Sequence, residues 1–100
     1  MPTFVMLTRV EPEVLRNAQS LEQLEHRAVE SIQKQCPSVK WISNYAVLGP
    51  YDYMDVFEAP DNDTAAKVST LVRVSGHAHS EIWPATEWAK FKKMIHAMPS

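Results

Sequence analysis

The period of the apolar residues changes several times along this chain, and the prolines and glycines between the periods leave few folds open. Thr3 to Val10 is dense in β-branched and aromatic residues, lacks internal Gly or Pro, and stops before Glu11-Pro12, which predicts a first strand. Residues 11 to 19 connect it to an amphipathic run opened by Ser20 and Gln23, a capping-box pair whose hydroxyl and amide satisfy orphan backbone N–H groups. Leu21, Leu24, Ala28, Ile32 and Cys36 then recur at helical spacing, with Glu22/His26 and Glu30/Lys34 on the solvent side. Pro37 ends this helix by disfavouring α geometry at Cys36.

Val39 to Leu48 and Tyr51 to Glu58 predict two strands joined by a tight hairpin at Gly49-Pro50, where Gly tolerates positive φ and Pro fixes its own. Asp61 is the expected N-cap of a second helix with a narrow inner stripe of Ala65, Val68, Val72 and Ser75, closed by Gly76. Residues 77 to 83 predict a fourth strand stopped by Pro84. Thr86 then caps a last helix whose inner stripe is Trp88, Phe91, Ile95 and Met98.

The order β-α-β-β-α-β plus a terminal helix predicts an α+β, ferredoxin-like fold: an antiparallel four-stranded sheet with helices on one face. One hundred residues supply one such core, so residues 1–100 are expected to form a single domain. A chain of this size buries only about 60–65% of its unfolded surface, and neither face of the sheet is polar enough to be left wet. The expectation is a homodimer whose sheets stack into an α/β barrel.

Charge and composition remove several function classes. Ten Lys+Arg against twelve Asp+Glu, with no block of like charge, give no electrostatic footprint for nucleic acid or an acidic membrane surface. Two glycines, Gly49 and Gly76, cannot build a dinucleotide fingerprint or a phosphate-cradling loop. The single Cys36 excludes an intrachain disulfide and any Cys-x-x-Cys motif, and no stretch has the length of a membrane span or the layout of a signal peptide. A cytoplasmic protein is expected.

Pairing the hairpin across Gly49-Pro50 sets Ala46 opposite Tyr53, Asn44 opposite Asp55 and Ile42 opposite Phe57. Extending the ladder through the first strand gives one face with Phe4, Met6, Thr8, Asn44, Tyr53, Asp55, Phe57, His77, His79, Glu81 and Trp83. The aliphatic set with Val5, Leu7, Val56, Ala78 and Ile82 is assigned to the helices. A bulge in any strand reverses part of this assignment.

The mixed aromatic and ionisable face has the composition of a small-molecule pocket. His79 is its expected general base, because an unperturbed imidazole titrates near neutrality, with Tyr53 or Asp55 positioning substrate. Asn44, Thr8, Tyr51 and Trp83 are candidate ligand contacts, the aromatics by stacking. His77 and His79 lie about 6.8 Å apart on one side of the strand, within reach of one divalent transition metal, and Glu81 lies about 13 Å from His77. The plainer reading makes these side chains interface hydrogen bonds and ion pairs. Asp52 is expected to satisfy turn backbone, and Cys36 to be packing.

Gly49-Pro50-Tyr51-Asp52, followed by Glu58-Ala59-Pro60-Asp61 and Ala65-Ala66, resembles the GYD domain family, small bacterial proteins among the dimeric α/β barrels. The likeness runs from Thr3 to about Trp88. It implies a ferredoxin-like protomer and a homodimer, within a superfamily that includes cofactor-free monooxygenases, haem-degrading enzymes, isomerases and plain ligand binders. The fourth strand departs from the pattern, reading His77-Ala78-His79-Ser80-Glu81 where Thr and small residues are expected. The functional expectations are therefore a pocket enzyme running proton transfer or cofactor-independent oxidation, a noncatalytic binding or assembly module, or a His-based metal binder.

Overall fold

A computed structural model of the chain describes residues 1–12, 18–76 and 78–99. Strand β1 (Thr3–Val10) is followed by helix α1 (Ala18–Gln35), strands β2 (Lys40–Ala46) and β3 (Tyr53–Glu58), helix α2 (Asn62–Gly76), strand β4 (Ala78–Ala85) and helix α3 (Trp88–Ala97). The four strands form one sheet in the order β2-β3-β1-β4, with all neighbours antiparallel. This is the ferredoxin-like arrangement, with a C-terminal helix added.

Local sequence explains most of the boundaries. The Asp61 carboxylate accepts the Thr64 N–H at 2.7 Å, so α2 starts on the N-cap that its sequence predicts. Removing that acceptor by Asp61→Ala is expected to lower the urea midpoint at unchanged slope, with no change of assembly. The α1 helix is already under way at Ala18, so Ser20 lies inside it rather than at its cap. Helix α3 is capped at Glu87 rather than Thr86, without a side-chain cap bond. β4 runs past Pro84 to Ala85, because β4 is an edge strand and its outer side needs no N–H.

The core lies between α1, α2 and one face of the sheet. Phe4, Met6 and Phe57 from the strands meet Ala28, Ile32 and Cys36 from α1 and its end, and Ala65, Val68 and Val72 from α2. Phe57 sits between Phe4, stacked at 5.7 Å, and Trp41, edge-on at 5.4 Å. Helix α2 is stitched to β4 by buried hydroxyls: Ser80 Oγ donates to the Ser69 carbonyl at 3.1 Å, and the two Oγ atoms are 2.6 Å apart. Arg73 adds a bond from Nη2 to the Ser80 carbonyl at 2.6 Å.

The side of the sheet that meets the helices is the reverse of the one the composition predicts for β1 to β3. Register pairs Phe4 with Phe57, Met6 with Asp55 and Thr8 with Tyr53, and all of these lie on the helix side. Val5, Leu7, Met54 and Val56 form the open side. The choice follows volume: two small-residue helix stripes, Ala28 and Ala65/Val68, make room for large rings, so the phenylalanines go inward. Ala78 and Ile82 do lie on the helix side, as expected.

Helix α3 does not complete the core. It buries none of its residues, and the expected inner stripe stands in solvent, with Trp88 64% and Phe91 41% exposed beside Ile95 and Met98. The molecule is correspondingly long, with a principal extent of 53 Å and a radius of gyration of 15.3 Å. A compact chain of this length has about 13 Å.

Candidate functional site

Alternation along β1, β2 and β3 brings Thr8, Asn44, Tyr53 and Asp55 to one place, on the helix side beneath α1. Thr8 pairs with Tyr53, Ala46 with Tyr53, and Asn44 with Asp55. Between these residues and α1 lies a cavity of about 290 Å³, whose walls include Leu21, Leu24, Glu25, Trp41 and Tyr45. Its apolar part includes Leu21 and Leu24 from the first half of the α1 stripe, both half-buried. Asn44 Nδ2 donates to Asp55 Oδ1 at 2.7 Å. Thr8, 4% exposed, has a buried hydroxyl with no hydrogen-bond partner among the described residues.

Burial raises the Asp55 carboxyl above its ordinary value of 3.8; the Asn44 hydrogen bond opposes the shift and the Glu25 charge adds to it. Tyr53 is likewise raised, first by burial and then by the charges of Glu25, Asp52 and Asp55. A carboxyl with a raised folded-state pKa binds protons more tightly folded than unfolded. Its stabilising contribution is therefore present below 3.8 and is lost as pH climbs through the folded value. Asp55→Asn, which keeps an acceptor for Asn44, is expected to raise the melting temperature at neutral pH. The gain should shrink to nothing in acid, as read by thermal melts across pH.

The open side of the sheet holds a second group. Tyr51 donates its hydroxyl to Glu81 Oε1 at 2.8 Å, and Trp83 Nε1 donates to Glu81 Oε2 at 3.2 Å, so both carboxylate oxygens are engaged by aromatic donors. The bond to Glu81 is the main cause that raises the Tyr51 phenol, ahead of burial and the Glu81 charge, with Arg9 opposing. His79 pairs with Arg9 on this side and is exposed. The turn between β2 and β3 is tied down by Asp52: its Oδ2 accepts the Val10 N–H at 2.8 Å, its N–H donates to the Thr8 carbonyl at 2.8 Å, and its carbonyl accepts from Val47 at 2.9 Å. Asp52 thus satisfies turn and strand backbone, as its position suggests. A Cβ at Gly49 would meet open space.

The expected site residues fall on two sides of the sheet. Thr8, Asn44, Tyr53 and Asp55 converge; His79, Glu81, Trp83 and Tyr51 form a separate group on the opposite face and do not reach the cavity. The cause is a one-residue difference in register. Extending the ladder from the hairpin sets His79 beside Thr8, whereas β4 pairs Ser80 with Thr8 and His79 with Arg9, and a shift of one turns every side chain over. His77 lies outside the described residues. Among the described residues no three His, Cys, Asp or Glu side chains gather where a metal ion could be held. Cys36 is buried as packing.

Glu25 and Trp41 are among the cavity contributors that the spacing does not bring out. Glu25 lies four residues after Leu21 and three before Ala28, a spacing that puts it on the edge of the inner stripe. Trp41 replaces Ile42 opposite Phe57 because a bulge shifts the register between Trp41 and Ser43.

Comparison with known proteins adds to this picture. A model of the GYD domain matches residues 4–95. A Thermus thermophilus protein named "Glutamine synthetase and cystathionine beta-lyase binding protein" is 30% identical over 71 residues, covering 67% of this chain and 70% of that protein. A crystal structure of a Thermus thermophilus protein superposes with a TM-score of 0.57 at 21% identity, covering 87% of this chain and 95% of the other. The Mycobacterium tuberculosis leucine response regulatory protein LrpA superposes with a TM-score of 0.56 at 9% identity over 86% of this chain, which spans about half (51%) of that protein. The two superpositions show the shared fold. With the family model covering nearly the whole chain and the GYD element clamping the end of β1, this protein belongs to the GYD domain family.

Proposed function

We propose that this chain is a noncatalytic binding protein: a homodimer, closed through the open side of the sheet, that docks on an enzyme and holds a small molecule in the cavity under α1. The observation that carries this reading is the division of polar groups between the two faces. The cavity offers groups that hold a ligand, Thr8, Asn44, Tyr53 and Asp55, while the His79 imidazole stands on the other side of the sheet. An oxidation or proton-transfer reaction in the cavity would have to run without His79. The name of the Thermus relative supports a role in binding enzymes, since that protein is named for binding glutamine synthetase and cystathionine β-lyase.

The dimer is supported by what the isolated chain leaves uncovered. Val5 and Val56, both half-buried, and the exposed Trp83 make one row of the open side, half-buried Met54 lies in the next, and the sheet leads within three residues of Ala85 into α3 with its exposed Trp88 and Phe91. A second copy stacked on this face would cover its apolar side chains, which is what a two-fold partner commonly does with an uncovered sheet face. The enzyme-docking reading is tested by mixing the purified protein with glutamine synthetase and with cystathionine β-lyase from its own organism. Size-exclusion chromatography with light scattering should show a complex with at least one of them. Independent elution from both at tens of micromolar overturns the docking role.

A further inference from the structure

We infer that the cavity under α1 selects small organic cations: a protonated primary amine on a compact apolar body, held by Asp55 and Thr8. The inference rests on the proposed reading of the cavity as a ligand site and names the ligand's chemical class.

Three features of the cavity point the same way. Its volume of about 290 Å³ is at the lower limit for ligand pockets, which run from about 300 Å³ upward, so it fits one ring or one short branched chain. Its ionisable lining is acidic or phenolic: Glu25 from α1, and Tyr53 and Asp55 from β3, while α2 and β4 contribute only Val72 and Ala78. No Lys, Arg or His lines it among the described residues, so a carboxylate or phosphate ligand would find no opposite charge there and would face the carboxylates of Glu25 and Asp55. Trp41 and Tyr53, which the register puts on the helix side, bring aromatic surface that attracts a cation over its face.

The polar end is built but incomplete. Asn44 engages one oxygen of Asp55, Oδ1, while the Thr8 hydroxyl, in a residue 4% exposed, has no partner among the described residues. A buried hydroxyl without a partner is uncommon, and a ligand donor is what it lacks. An ammonium group brings three donors, enough for the carboxylate and the hydroxyl together. Charge-assisted hydrogen bonds of this kind separate an amine from a neutral alcohol of equal shape by about tenfold.

The test is an amide-shift NMR titration of the protein with benzylammonium, benzyl alcohol and benzoate, which share a ring and differ in charge. Benzylammonium is expected to shift Thr8, Asn44, Tyr53 and Asp55 and to bind about tenfold tighter than benzyl alcohol, with no benzoate binding. Asp55→Asn should bring benzylammonium down to the level of the alcohol, and Thr8→Val should weaken both. Benzylammonium affinity should rise with pH as Asp55 ionises, and that of the alcohol should stay flat. Equal binding of amine and alcohol, or preferred binding of benzoate, overturns the cation selectivity and leaves the cavity as a ligand site. Absence of shifts with all three overturns the ligand-site reading as well.

Discussion

Phe57→Ala is expected to lower the unfolding free energy by about 3–5 kcal/mol, read as a fall in the urea midpoint at unchanged slope. Phe57 has 0% of its surface exposed and is held between Phe4 at 5.7 Å and Trp41 at 5.4 Å, so truncation empties the centre of the core and breaks two ring contacts. A domain of this size has about 5–15 kcal/mol in total, so the variant should lose a large share of its stability and show a clearly lower urea midpoint. The neighbouring substitution Val56→Ala faces the other way, and its cost to the protomer should be about 1 kcal/mol or less. If the two costs came out reversed, the sheet would be facing its helices with the other set of side chains.

The second large effect concerns assembly. Val5→Lys puts an ammonium in the middle of the open side, in the row of Val56 and Trp83, where the isolated protomer leaves room for it. Burying that charge without a partner in a stacked dimer costs about 3–5 kcal/mol, which weakens dimerisation by at least about a hundredfold. Sedimentation equilibrium should show a folded monomer with an unchanged circular dichroism spectrum. A Val5→Lys protein that stays dimeric rules out face-to-face stacking through this surface.

Much of this architecture is legible in the residues themselves. The element order follows from the spacing of Leu21, Ala28, Ile32, Ala65 and Val68 and from the breaks at Pro37 and Pro60, and the hairpin pairing of Asn44 with Asp55 and Ala46 with Tyr53 follows from counting back from the turn. What counting misses are the local irregularities. A bulge at Ile42 turns Trp41 inward, and the pairing of β4 to β1 has no hairpin to fix its register, so β4 is shifted by one place and His79 ends on the opposite side of the sheet from Thr8. The inside–outside choice is harder: polar Thr8, Asn44 and Asp55 share a side with Phe4 and Phe57, and average polarity alone assigns that side away from the helices. Asn44 and Asp55 satisfy each other at 2.7 Å, which makes their partial burial tolerable. That pairing is visible in the register, but its bearing on which face is covered depends on the volumes of the helix stripes.

The central claim is that a twin chain and a small molecule occupy opposite sides of one sheet. Hydroxyl-radical footprinting with mass spectrometry, repeated at rising protein concentration, tests it residue by residue. Met54, Trp83, Trp88 and Phe91 are expected to become protected as concentration rises, while Trp41 and Tyr53 keep their reactivity. Protection of Trp41 and Tyr53 with Trp83 and Trp88 still reactive would contradict it.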